Sequence, residues 1–177
     1  MAVLDAQDVR TVATGSGEVR VRDTGGSGAG APPVLLVHSL LADPDLYAEV
    51  VPLLVARGHR CVVPELPLGA HRLPLREGAD LTPLGLATLL AEVLDALEVP
   101  VAHVVGVDTG GALAQLLMAG HRDRVGRVVL TACDAYDAFP PRSLRPLLAL
   151  LRSPLLLRAM QPGARLRWVR RAFVPGR

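Results

Sequence analysis

Apolar residues between positions 33 and 131 fall into short continuous runs that alternate with longer stretches of apolar residues spaced three and four apart. A short apolar run bounded by turn residues reads as a strand buried on both faces, and the wider spacing as one face of a helix. Pro33-Val34-Leu35-Leu36-Val37 is such a run and ends at His38-Ser39. Asp45 to Arg57 places Leu46, Val50, Leu53 and Leu54 on one helical face, with Gly58 set to cap it. Cys61-Val62-Val63 is the next strand, ending at Pro64-Glu65-Leu66-Pro67. Thr82-Pro83 supplies an N-cap and a first-turn proline for a helix running to Leu97. Val101 to Val105 reads as a strand, Ala112 to Ala119 as a helix and Arg127 to Thr131 as a strand. Two strands precede them all, Val9 to Ala13 and Glu18 to Asp23. The second alternates Val19 and Val21 with Arg20 and Arg22, as a half-buried edge strand would.

Strand alternating with helix predicts an α/β chain built on a doubly wound, mostly parallel sheet with crossover helices. From Pro140 the pattern changes. Arg142 to Leu151, Pro154 to Met160 and Ala164 to Phe173 read as three short helices separated by proline or glycine, with no strand among them. The expected organisation is a core over residues 1–139 and a partial helical lid over 140–177.

Composition narrows the class. The chain has 177 residues, 50% hydrophobic and 20% charged, which suits one globular domain with a core of its own. Every basic side chain is arginine, and the net charge of +2 is unevenly spread: residues 1–140 hold ten arginines against all 17 acids, and 141–177 hold nine arginines and no acid. A basic amphipathic segment of that kind suits nucleic acid or an anionic membrane surface, or else the arginine-rich half of a lid whose acidic partner lies elsewhere. Cys61 and Cys133 show no metal-ligand spacing, so no metal is expected and both read as buried free thiols. Met1 to Arg10 lacks the apolar core of a signal peptide and no apolar stretch reaches 18 residues, so the expectations are no membrane span and a cytoplasmic location.

Candidate chemistry centres on Gly106-Val107-Asp108-Thr109-Gly110-Gly111, which lies between a predicted strand and a predicted helix. A tight strand-to-helix bend thrusts its middle side chain outward and requires glycine on both sides, a nucleophile elbow. An aspartate at a helix start also serves as a plain N-cap. As a nucleophile, a carboxylate gains little by attacking an amide or ester, so it implies attack on carbon to form an alkyl ester. A dinucleotide-binding half is a weaker reading, since the pattern is GxDxGG and not GxGxxG.

Val34 to Ser39, about seventy residues before the elbow, together with Arg57 to Pro67 and Arg127 to Ala135, stand in the order of the landmarks of the α/β-hydrolase fold. The chain resembles the aspartate-nucleophile branch of that superfamily, the haloalkane dehalogenases and epoxide hydrolases. The resemblance implies Asp108 as nucleophile and the Thr109 main-chain N–H as one arm of an oxyanion or leaving-group site. The Leu40 N–H would be the other arm, His38 a support for that loop, and Gly106, Gly110 and Gly111 the elbow glycines. It implies Asp134 as the acid, with Asp137 the weaker choice and a loop-start cap the plain alternative for Asp134. A small-molecule substrate, no cofactor and no nucleic acid follow from the same resemblance. Leu40 offers only a backbone donor where dehalogenases use side-chain N–H groups, and 141–177 holds none of the tyrosines with which epoxide hydrolases protonate the opened ring, Tyr136 being the nearest. Ser39 stands where a glycine is usual.

Hydrolysis of an alkyl-aspartate needs a histidine to activate water. The resemblance places it after a later strand, and none of His38, His59, His71, His103 and His121 fits that place; His121 closes the elbow helix about 15–20 Å from Asp108 by helix rise. The expectation is therefore a chain cut short within the lid, inactive as it stands. Its last sheet strand, Arg127 to Thr131, would be an exposed edge suited to self-association, and a non-catalytic interaction module using that edge and the arginine-rich C-terminal segment is the rival reading.

Overall fold

The computed structural model describes residues 9–26 and 30–133, all within the first of two units into which the chain divides, Met1–Asp134. The three helices expected after Pro140, and with them the lid, lie outside the described residues.

Six strands form one sheet: β1 (Val9–Thr14), β2 (Gly17–Asp23), β3 (Val34–Val37), β4 (Cys61–Pro64), β5 (Ala102–Val107) and β6 (Val125–Thr131), in the order β1-β2-β4-β3-β5-β6. β1 and β2 are antiparallel to each other, β2 is antiparallel to β4, and β4, β3, β5 and β6 run parallel. Parallel neighbours need crossovers, and three helices serve: α1 (Val50–Val55), α2 (Pro83–Ala96) and α3 (Thr109–Gly120). α2 and α3 cover one face through Leu86, Leu89, Leu90, Val93, Leu94, Leu113 and Leu117, packed on Leu35, Val37, Val62 and Val104. The other face holds a smaller cluster in which Tyr47 and Val51 meet Val34, Leu36, Cys61 and Val63.

Two expectations are corrected here. β2 is not an edge strand, because it lies between β1 and β4. Its alternation arises because Val19 and Val21 are buried while Arg20 and Arg22 are bound on the opposite face by Glu65 at 3.5 Å and Asp45 at 2.6 Å. Ion pairing thus gives an interior strand the polar face expected of an edge. The helix expected over Asp45 to Arg57 is broken in two. Asp43 accepts from the Asp45 N–H at 2.9 Å and, with Pro44 next in the chain, starts a 3-10 turn over Pro44–Tyr47, and the chain re-enters a helix only at Val50. The buried positions are then Tyr47 and Val51, while Leu46, Val50 and Leu53 are exposed. Gly58 ends α1 in the left-handed region at φ 82°, its N–H on the Val55 carbonyl at 2.8 Å.

One buried ion pair anchors the sheet's far side. Asp23, 2% exposed at the end of β2, accepts two hydrogen bonds from Arg60 at 2.8 Å and one from the Gly25 N–H at 3.0 Å. Burial alone would raise its pKa, yet the Arg60 and Gly25 hydrogen bonds and the charges of Arg60 and Arg10 bring it below the ordinary aspartate value of 3.8. A depressed folded pKa contributes stability that is present above the unfolded value and lost as pH falls through the folded one. We expect Arg60→Met to cost about 2 kcal/mol near neutral pH, because it strips a buried carboxylate of its main partner. We also expect it to flatten the loss of stability below about pH 4, the unfolded aspartate range. Urea denaturation at several pH values checks both.

Candidate functional site

Three parallel strands end at one level. Val37 of β3 pairs with Gly106 of β5, and Val107 of β5 with Thr131 of β6, so the loops after β3, β5 and β6 leave the sheet together. Chain order reverses here: β3 is followed by β4 on one side and β5 on the other. Ligand crevices of doubly wound sheets form at the carboxyl ends of strands where the order reverses.

Asp108 occupies this point, half-buried, between β5 and α3. Its backbone has φ 51° and ψ −123°, a region that a non-glycine residue enters only when its surroundings hold it there. Those surroundings are visible. The Asp108 N–H donates to the Thr131 carbonyl at 3.2 Å, and its carbonyl accepts from the Gly111 N–H at 3.0 Å. Its side chain makes no capping hydrogen bond and, among the described residues, no ion pair, which separates it from an ordinary helix N-cap.

The glycines make the bend possible by close approach. A Cβ on Gly106 would lie 2.6 Å from the Gly110 carbonyl oxygen, and one on Gly110 would overlap the Val37 carbonyl oxygen and lie 2.7 Å from that of His38. At Gly111 it would overlap the Cys133 sulfur. That thiol follows β6, donating to the Thr131 carbonyl at 3.2 Å and facing that of Gly106 at 3.6 Å. Cys133 is half-buried, which corrects the expectation of two buried thiols, and Cys61 alone is fully enclosed. We expect Gly111→Ala to destabilise the fold, and to do so less when Cys133→Ala removes the sulfur. The thiol Cβ still stands 3.0 Å away, so rescue is partial. A double-mutant cycle by thermal melting should give a coupling of about 1 kcal/mol.

On the neighbouring loop, Ser39 to Ala42 form a turn closed by the Ala42 N–H on the Ser39 carbonyl at 3.2 Å, with Leu41 at φ 61°. Leu41 donates to the Leu68 carbonyl at 2.8 Å. The N–H groups of Leu40 and Thr109 carry no hydrogen bond to a described residue. His38 is wholly buried: its Nε2 accepts from the Leu66 N–H at 2.9 Å, and its Nδ1–H donates to the Ser39 carbonyl at 2.9 Å. Burial keeps its pKa below the ordinary imidazole value, against the opposing effects of the Ser39 carbonyl and the Asp43 and Glu65 carboxylates. With both ring nitrogens engaged, the neutral ring has no lone pair to spare. Glu65, also buried, ties the next loop through the backbone N–H and guanidinium of Arg72 and through Arg20.

Of the other histidines, His71 lies in the loop whose Leu68 carbonyl accepts from Leu41, and the rest lie towards the amino ends of the parallel strands. His59 follows α1, His71 is exposed in the loop after β4, His103 accepts from the Arg127 N–H at 3.0 Å near the amino end of β5, and His121 caps the far end of α3. Asp134, Asp137 and Tyr136 lie outside the described residues. Tyr47 was not signalled by the sequence, since a single tyrosine in a broken helix has no motif. It proves to be 5% exposed, with its hydroxyl donating to the Val37 carbonyl at 2.8 Å.

A mixed sheet in this strand order, with a strained acidic residue between β5 and its helix, defines an α/β hydrolase architecture. A family model for the alpha/beta hydrolase fold matches residues 32–154, and the chain belongs to that family. It is 34% identical over 99 residues to a haloalkane dehalogenase of Psychrobacter cryohalolentis, covering 55% of this chain and 32% of the relative. An alpha/beta hydrolase fold protein from Nakamurella multipartita superposes with a TM-score of 0.62 at 32% identity, covering 86% of this chain and 50% of that one. A hydrolase from Pseudomonas aeruginosa gives a TM-score of 0.67 at 24% identity, covering 96% of this chain and 66% of that one, a likeness of fold. The chain spans less than half the length of the curated relatives it matches. The α/β-hydrolase kinship read from the sequence motifs is borne out. Among the described residues no helix is long and apolar enough to cross a membrane.

Proposed function

We propose that the chain carries the alkylation half of a hydrolase reaction on a small apolar electrophile, with Asp108 as nucleophile. A carboxylate oxygen attacks carbon, the new C–O bond forms, and the bond to the leaving atom breaks with its electron pair. The product is an alkyl ester of Asp108. The leaving atom is met by the N–H groups of Thr109 and Leu40, which supply hydrogen-bond donors where charge develops. His38 holds the Leu40 loop. Because Leu40 and Thr109 bring no side-chain N–H, the site favours an oxygen leaving atom, as in an epoxide, over a halide. The opened alkoxide takes its proton from water.

The observation that carries this reading is the positive φ of Asp108 together with a side chain that makes no capping hydrogen bond and, among the described residues, no ion pair. Strain of this kind persists at sites of function when the surroundings enforce it. Regeneration needs a base to activate water for attack on the ester carbonyl, with Asp134 as the acid that orients it. The nearest histidine by strand register, His38, is occupied on both nitrogens. With no other histidine hydrogen-bonded at these strand ends among the described residues, the ester is the expected end product. Incubation with an aryl epoxide should add one electrophile mass per chain within a single phase, with no diol accumulating afterwards. Diol formed over many turnovers, or no added mass, would overturn the proposal.

A second reading draws on β6, which has one strand neighbour among the described residues and leaves Val129 and Leu130 exposed. An open apolar edge invites another chain. A pure interaction module would give no adduct, so the same incubation separates the two.

A further inference from the structure

We infer that Tyr47 is a positioning residue, its hydroxyl fixing the loop that offers the Leu40 N–H to the leaving atom; this rests on the Asp108 reading above. The bond from the Tyr47 hydroxyl to the Val37 carbonyl joins the two ends of the segment that carries Leu40. Val37 is the last residue of β3, and Tyr47 closes the 3-10 turn beyond it. Within this closed segment, His38, Leu41 and Ala42 are each held by hydrogen bonds, and Leu40 is left at the tip, 51% exposed.

The Val37 carbonyl also does a second thing. Its oxygen lies where a side chain on Gly110 would stand, against the first turn of α3. One oxygen atom therefore touches the base of the Leu40 loop and the helix start that presents Thr109. Tyr47 orients that oxygen from beneath, so it sets the separation of the two N–H donors without approaching substrate. Burial, with the Cys133 thiol adding to it, raises the Tyr47 pKa far above the ordinary phenol value, and the hydroxyl stays a donor throughout the working pH range.

The test compares the full chain with Tyr47→Phe, following the rate of Asp108 adduct formation against concentration for an aryl epoxide and for a primary alkyl iodide. Removing one donor outright typically lowers a rate by about 10²–10³-fold; misaligning one should lower the maximal rate by about tenfold or more. The half-saturating concentration should be unchanged. The loss should be larger for the epoxide, whose alkoxide depends on the N–H groups, than for the iodide, which leaves readily. Val51→Ala, in the same apolar cluster but without a hydrogen bond, controls for stability and should leave both rates near those of the unaltered chain. Equal rates for Tyr47→Phe, an equal loss with both electrophiles, or the same loss in Val51→Ala would each overturn the role of Tyr47 alone. Absence of any adduct on the unaltered chain would overturn the Asp108 reading and this inference with it.

Discussion

Asp108→Asn abolishes covalent capture of an epoxide and leaves the fold intact. A carboxamide is a feeble nucleophile towards carbon, and removing a hydrolase nucleophile commonly costs on the order of 10⁶-fold in rate, so no adduct should be detectable. Asparagine is the conservative choice because it tolerates positive φ better than other non-glycine residues, and position 108 sits at φ 51°. The Asp108 side chain makes no capping hydrogen bond. Its replacement should therefore shift stability by less than about 0.5 kcal/mol. Intact mass after incubation and a thermal melt of the same sample check the two halves. An adduct that survives the substitution would place the nucleophile elsewhere, and a collapsed melt would make Asp108 a structural brace.

Gly110→Ala and Gly120→Ala, on the same helix, should act in opposite directions. Alanine is the better helix former by about 1 kcal/mol, so propensity alone favours both. At Gly120 a Cβ meets nothing within 4 Å, and a gain of up to about 1 kcal/mol is expected, less where the helix end frays. At Gly110 the Cβ would overlap the Val37 carbonyl oxygen, a backbone atom in a central strand that cannot turn aside. Overpacking against such an atom should cost about 3 kcal/mol or more, outweighing the propensity gain. On this size scale each kcal/mol moves the melting temperature by about 2–4 °C, so the pair should separate by about 6 °C or more. The Gly110 variant should also lose alkylation, because relief of the clash requires α3 to withdraw from β3 and carry Thr109 with it. Equal melting temperatures would mean that the elbow is looser than the close approach at Gly110 implies.

The strands and the elbow were legible because both obey local rules. Buried parallel strands are continuous apolar runs, and β3, β4 and β5 announced themselves that way, though β5 ran on to Val107 through a glycine that had read as part of the turn. The elbow was legible because its glycines serve close approaches that no larger residue permits. The features that misled were decided by partners distant in sequence. Arg20 and Arg22 gave β2 the alternation of an edge strand, and only Glu65 and Asp45, brought close by folding, show why an interior strand carries them. The face of α1 was misjudged by one residue, because the Asp43 cap starts a separate turn and changes the phase of the helix beyond it. Tyr47 and Cys133 carried no readable signal, since each matters through a single carbonyl or glycine far along the chain.

The residue on which the electrophile ends up is the most direct evidence for or against Asp108 as nucleophile. Cys133, whose thiol packs against Gly111 at the elbow, is the natural competitor, so total mass alone does not decide. Fragment-ion mapping of the adduct after incubation with an aryl epoxide does. An ester-linked mass on Asp108, released by mild base, is the expected result. A base-stable thioether on Cys133, with Asp108 unmodified, would contradict the claim that this carboxylate is the reacting group.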